Sequence, residues 1–251
     1  MTLKPLPALD VHAHIAPDVT RSQVAALGNA VVFAMTRSLA EATHVRNLSN
    51  NTLIWGVGVH PGVATARERW DSQLFEELLP SFALVGEVGL DRRGGDWLRQ
   101  RAIFDEILTI VKSEPVLVSI HSSGAASEVV SHLHSSGLHG AILHWFTGNE
   151  ADTRRALNAG AYFSVNAAMT VEQIGYLPRD RVLSETDFPA RQVRARKPAD
   201  IERVEFLLSE AWGIPTDEVR AKIWWNFRTL SEQTGAIERL PEAVADRLLY
   251  L

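Results

Sequence analysis

Short apolar runs rich in Val, Ile, Leu and Phe recur along the chain between longer amphipathic stretches, and this alternation limits the fold more than any other feature. A strand covered on both faces reads as a continuous apolar run, and parallel strands need a crossover that is usually a helix. Eight runs qualify, at residues 8–13, 30–35, 53–59, 82–88, 115–120, 140–145, 161–166 and 181–186. Helices are predicted over 19–28, 38–48, 66–79, 97–113, 124–136, 149–159, 170–177 and 199–212. Two of these carry local start signals, Asp96 before Trp97 and Asn149 before Glu150, where a side-chain oxygen can satisfy a free N–H of the first turn. Eight strand–helix units in 251 residues fit a (β/α)8 TIM barrel, which commonly takes about 250 residues. A last pair of helices, 215–235 and 241–250, is expected to pack on the barrel or close one end. No Pro/Gly/Ser-rich linker or composition shift divides the chain, so residues 1–251 are expected to form a single barrel domain with C-terminal helices over 215–251.

Composition removes several function classes. With no cysteine there is no disulfide framework, no thiolate nucleophile and no Cys-type zinc site, so any metal must use nitrogen and oxygen ligands. A net charge of −5 argues against coating nucleic acid by bulk charge and restricts such contacts to local ones. The opening Met1-Thr2-Leu3-Lys4-Pro5-Leu6-Pro7 has no leader-like apolar segment, and no stretch reaches the roughly 18 apolar residues of a membrane span. A cytoplasmic protein without membrane association is the expectation.

His and acidic residues recur at the C-terminal ends of different predicted strands, where barrel enzymes build their sites. Residues two apart on a strand face the same way, so Asp10, His12 and His14 share a face and the two imidazoles can address one metal. Asp10 then reads as the carboxylate behind a ligating ring, since such rings usually donate their other N–H. Glu87 closes an apolar strand, where an unpaired carboxylate is costly, and bridging two cations would use it best. His121 and His144 follow apolar strands in the same way and supply nitrogen ligands for a second metal. Asp187 emerges from the eighth strand beside Glu185, facing strand one across a closed barrel, and could both bind the first metal and accept a proton from water. Each residue alone has a plainer reading: a hydrogen-bonded core histidine, a carboxylate held by Arg, or a turn cap. The metal reading rests on their convergence.

Taken together, the segments LDVHAH, GVGVHPG, GEVGLD, SIHSSGA, LHWFTG, SETDFP and WWNFRTL resemble the TatD-type metal-dependent deoxyribonucleases, from residue 9 to about 230. The resemblance implies a two-metal site, with His12, His14, Glu87 and Asp187 for one ion and Glu87, His121 and His144 for the other. It places His60 beside the metals, touching a phosphate or a bound water, with Asp91 and Glu185 as supporting carboxylates. Many members carry Arg and Asp after the strand-five histidine, where this chain has Ser122-Ser123-Gly124, so one phosphate contact is missing. The wording of LHWFTG and AYFSVNAAM is similar to the short TatD-like nucleases of Qat-type antiviral clusters, which implies protein partners in a defence complex.

The expected chemistry is hydrolysis of DNA phosphodiesters from strand ends, by a hydroxide bridging two divalent ions (Zn²⁺, Mn²⁺ or Mg²⁺) about 3.5–4 Å apart. Cationic side chains that could neutralise phosphate are Arg92, Arg93, Arg191, Arg194, Arg196 and Lys197, and Trp145 could stack on a terminal base, with Phe146 reading as core. Two rivals remain: an amidohydrolase or esterase, because the same hydroxide attacks carbonyls, and a barrel kept as a non-catalytic subunit.

Overall fold

The computed structural model describes residues 5–48 and 50–251. The first four residues, part of the segment read above as lacking a leader, lie outside the described residues. Eight strands, β1 (Leu9–Ala13), β2 (Val31–Ala34), β3 (Leu53–Val57), β4 (Leu84–Gly89), β5 (Leu117–His121), β6 (Ala141–His144), β7 (Tyr162–Val165) and β8 (Val182–Ser184), pair in sequence order and in parallel. Every strand residue except His121 is buried, as the continuous apolar runs require. The helices are α1 (Arg21–Ala25), α2 (Leu39–Val45), α3 (Ala64–Glu68), α4 (Ser72–Leu78), α5 (Trp97–Val111), α6 (Ala126–Ser136), α7 (Glu150–Asn158), α8 (Val171–Gly175), α9 (Glu202–Trp212), α10 (Thr216–Thr234) and α11 (Glu242–Leu249). Together they make a nearly closed (β/α)8 barrel.

Local chemistry sets the helix ends. Asp96 and Asn149 are N-caps whose side chains accept from Arg99 N and Asp152 N, and Gly137, Gly213 and Gly235 end α6, α9 and α10 in the left-handed region. The single helix predicted over 66–79 is instead two, α3 and α4. Asp71 interrupts it because its carboxylate accepts Leu74 N (3.1 Å) and starts a new first turn.

β8 meets β1 through a seam rather than a regular ladder. Asp187 N donates to His12 O (2.8 Å), His14 N to Phe188 O (2.7 Å) and Ser184 Oγ to Leu9 O (2.5 Å). The fully buried Asp10 carboxylate accepts from Thr186 N (2.8 Å), Thr186 Oγ1 (2.6 Å), Ala199 N (2.8 Å) and its neighbour His12 N (3.3 Å). Behind β8, α10 buries Trp224 and Phe227, and Asn226 Nδ2 donates to Arg179 O (2.7 Å) and Val182 O (2.8 Å), clamping the strand's entry. Among the described residues no helix is long and apolar enough to cross a membrane.

The seam gives a stability prediction. Asp10→Ala leaves buried and half-buried donors of Thr186 and Ala199 without an acceptor, and should lower the unfolding free energy by about 2–4 kcal/mol. A urea titration reads this directly; a loss below about 0.5 kcal/mol would mean that the backbone bonds hold the seam unaided.

Candidate metal centre

Glu87 stands at the end of β4 with 1% of its surface exposed. Its position depends on glycine: a Cβ on Gly58, in the chain just beyond β3, would fall 2.4 Å from Glu87 N. Gly89, at φ +132, lets β4 pass His121, whose carbonyl would lie 2.1 Å from an added Cβ. A carboxylate so enclosed costs several kcal/mol unless charge or hydrogen bonds compensate it.

Five imidazoles surround it. Oε1 lies 2.5 Å from His121 Nδ1 and 3.2 Å from His144 Nε2, and those two nitrogens are 3.3 Å apart. Oε2 lies 3.0 Å from His14 Nε2, 3.4 Å from His60 Nε2 and 3.7 Å from His12 Nε2. Asp187 Oδ1 completes the second group at 3.8 Å from the Nε2 atoms of both His12 and His14. One oxygen therefore faces His121 and His144, and the other faces His12, His14 and Asp187.

The remaining ring nitrogens are mostly assigned. His121 Nε2 meets Asp91 Oδ2 (3.1 Å), His144 Nδ1 approaches Glu185 Oε1 (3.5 Å), and His12 Nδ1 meets Ser119 Oγ (2.8 Å). Asp91 and Ser119 are partners of the kind that fix the tautomer so that a lone pair points inward, whereas Glu185 comes near His144 Nδ1 without bonding geometry. Glu185 is held in turn by Ser164 Oγ, Asn166 Nδ2 (2.9 Å) and Trp145 N (3.1 Å). His60 differs: its Nδ1 accepts Gly62 N (2.9 Å), so in the neutral ring the proton sits on Nε2, making it a donor rather than a ligand. A cation fits this cluster, because His12 Nε2 and Glu87 Oε2 are sealed from solvent without a hydrogen-bond partner, although His14 Nε2 comes close to the latter without bonding geometry. Two overlapping donor groups, His12/His14/Asp187 and His12/Glu87/His144, are each compact enough to hold one ion, and a third, His60/Glu87/His121, is equally compact but includes the Nε2–H of His60.

Several expectations change. Asp10 does not support a ligand ring; its carboxylate is committed to the seam, and Ser119 takes the place beside His12. Spacing along the strand does not decide the partner: the Asp10 carboxylate bonds Thr186 and Ala199 instead of the His12 ring. Ser119 was detectable as a polar interruption two residues before His121, and Ser164 and Asn166 as similar interruptions around β7. Arg92 pairs with Glu128 and covers the Trp97 ring at 4.0 Å, while its neighbour Arg93 lines the cleft. Arg191 and Arg194 are exposed and stand off the cleft wall, to which Gln192 contributes. Arg196 pairs with Asp200, and Lys197 Nζ reaches Ala26 O (3.3 Å). Trp145 lines the cleft and Phe146 is buried against Phe163.

The cleft over the cluster holds about 370 Å³ and has His14, His60, Glu87, His121, His144 and Asp187 in its wall. Trp145 (φ 40) and Asp187 (φ 45) adopt left-handed backbone that costs about 1–3 kcal/mol in a non-glycine residue. Their N–H bonds to Glu185 and His12 hold them there. Sequence reasoning missed Arg67, a buried guanidinium that donates to Pro61 O and to Gly94 O (2.7 Å), tying the His60 loop to the Arg93 loop.

The ionisable groups of the cluster shift one another's protonation. Burial works against ionisation of Glu87, yet the His60 and His121 rings and the hydrogen bond from His121 hold its carboxyl well below the usual range. Burial also disfavours protonated His121, but Glu87 and Asp91 overcome it and raise the ring to about 9. Burial lowers His12 to about 3 and His60 to about 4, and it pushes Asp187 up to about 7.

A profile of the TatD-related DNases matches residues 9–232. The chain belongs to the TatD-related DNase family. It is 30% identical over 190 residues to the 3′-5′ ssDNA/RNA exonuclease TatD of Edwardsiella piscicida, covering 68% of this chain and 72% of that one. An uncharacterized metal-dependent hydrolase of Bacillus subtilis, YabD, is 29% identical over 146 residues, 53% of this chain and 57% of its own. Among solved structures, the TatD homolog YJJV from Escherichia coli K12 shares the fold at TM-score 0.73 and 23% identity, covering 88% of this chain and 97% of that one. A TatD family protein from Entamoeba histolytica does so at 0.71 and 16%, covering 90% and 98%. The TatD-family core thus takes in every strand and the cluster around Glu87.

Ligand imidazoles must shed their protons, so cation uptake by this TatD-family chain should release about one proton or more near neutral pH. Its affinity should weaken as pH falls, because His121 and His144 hold their protons more tightly than a free imidazole. Calorimetry in two buffers of different ionisation enthalpy measures the release, and pH-independent uptake without it would place the ion elsewhere.

Proposed function

We propose that this protein hydrolyses phosphodiester bonds of DNA from strand ends, with two divalent cations, Zn²⁺, Mn²⁺ or Mg²⁺, held on either side of Glu87. The carrying observation is the division of its carboxylate: Oε1 faces His121 and His144, Oε2 faces His12 and His14 with Asp187 alongside. Mixed imidazole and carboxylate donors suit those metals. When bound, such ions supply Lewis acidity to a phosphoryl oxygen and to water.

The chain's own groups do the rest. Asp187, its carboxyl raised to about 7 by burial, is suited to take a proton from the attacking water on Oδ1. His60 presents Nε2–H toward the cluster and can donate to a phosphate oxygen. Asp91 and Ser119 keep His121 and His12 oriented, and Glu185 stands near His144. Trp145 offers a ring on the cleft wall for the terminal base. The exonuclease name of the Edwardsiella relative supports action on single strands from an end.

The test is a labelled single-stranded DNA incubated with Mn²⁺, set beside a panel of carboxylic esters and amides. Stepwise shortening from one end is expected, and Asp187→Asn should lower kcat by about 10²–10⁴-fold, the usual worth of a positioned base. Turnover of the esters or amides alone would replace the phosphodiester reading with an amidohydrolase or esterase.

A further inference from the structure

We infer that the loops after β4 and β5 form a second oxyanion subsite, built from the Arg93 guanidinium, the Ser122 hydroxyl and the first turn of α6. It would take the phosphate next to the one being cut. The inference rests on the phosphodiesterase reading above and adds where the rest of the strand lies.

The two loops are stitched side by side: Leu90 N donates to His121 O (3.0 Å) and Arg92 N to Ser123 O (3.0 Å). Ser122 is 3% exposed and lines the cleft, yet its hydroxyl bonds to none of the described residues. It is also not among the sealed polar atoms, so it opens onto the cleft. A hydroxyl on an otherwise enclosed residue, open to the cleft and without a protein partner, is free to donate to a ligand there.

Beside it, Ser123 and Gly124 lead into the 11-residue α6, whose N-cap Ala125 offers no side-chain cap. Its first-turn N–H groups are left for an anion. Glu128, in that turn, would repel one, but Arg92 neutralises it. Arg93 is the one Arg or Lys among the described cleft-lining residues, and its guanidinium enters no ion pair there.

The backbone of the Arg93 loop is separated from Glu87 by one ring and one carboxylate. From Oε1 the path runs 2.5 Å to His121, across the ring and 3.1 Å to Asp91, whose other oxygen accepts Arg93 N at 2.7 Å. A chain with net charge −5 thereby recruits a polyanion through one local cation and oriented donors.

The test is equilibrium binding by tryptophan fluorescence, on the full chain with chelator present to prevent turnover. The probes are thymidine dinucleotides without a terminal phosphate, with a 5′-phosphate and with a 3′-phosphate. One terminal phosphate should tighten Kd by about tenfold or more, within the range of charge-assisted hydrogen bonds. R93Q and S122A should each remove most of that gain, and R93Q should reduce the slope of log Kd against log salt by about 0.7. R154Q, which removes a charge from the outer helix α7, should keep the gain.

Equal Kd for all three dinucleotides, or an undiminished preference in both R93Q and S122A, overturns the subsite. Turnover on DNA ends, measured separately, distinguishes the two failures. A protein that cuts DNA without phosphate preference lacks only this subsite. One that keeps the preference but cuts no phosphodiester contradicts the function on which the inference rests.

Discussion

The Glu87 carboxylate is the constraint on which the rest of the site depends. Burying it in the end of an apolar strand would cost several kcal/mol if it stood alone, so the surrounding elements must bring positive charge or donors to both its oxygens. They do so from β1, β5, β6 and the segments following β1 and β3, with five imidazole nitrogens between 2.5 and 3.7 Å away. Protonated rings can balance the charge, and in the proposed metal-bound form the same donors would serve as ligands. Ser119 and Asp91 support that exchange by leaving inward lone pairs on His12 and His121.

Barrel closure and site assembly are the same event. The seam between β8 and β1 bonds Asp187 N to His12 O and Asp10 to Thr186, so the residues that close the cylinder also bring Asp187 beside His12 and His14. Arg67 links the loops carrying His60 and Arg93 on the opposite side of the rim. Rigidity at these points keeps Trp145 and Asp187 in left-handed backbone that an unsupported loop would relax.

The sequence made the framework readable because doubly buried strands leave continuous apolar runs and each important side chain closes one of them. His12, His14, Glu87, His121, His144 and Asp187 could therefore be grouped from periodicity and strand ends, and the motifs supplied the family. What stayed hidden depends on distances between segments. Period two says nothing of whether the Asp10 carboxylate reaches a ring or Thr186. Ion pairing between Arg92 on one loop and Glu128 on the next is equally invisible, so Arg92 and Arg93 looked equally available from the sequence. The break at Asp71 shows the same limit on a local scale, since a capping side chain outweighed the helical pattern around it.

The central claim is that Glu87 bridges two cations. Anomalous diffraction from crystals soaked in Mn²⁺ or Zn²⁺ tests it most directly. The account predicts two peaks, one between Glu87 and the His121/His144 pair and one between Glu87 and the His12/His14/Asp187 group, about 3.5–4 Å apart. A single peak, or peaks that leave Glu87 unligated, would contradict it.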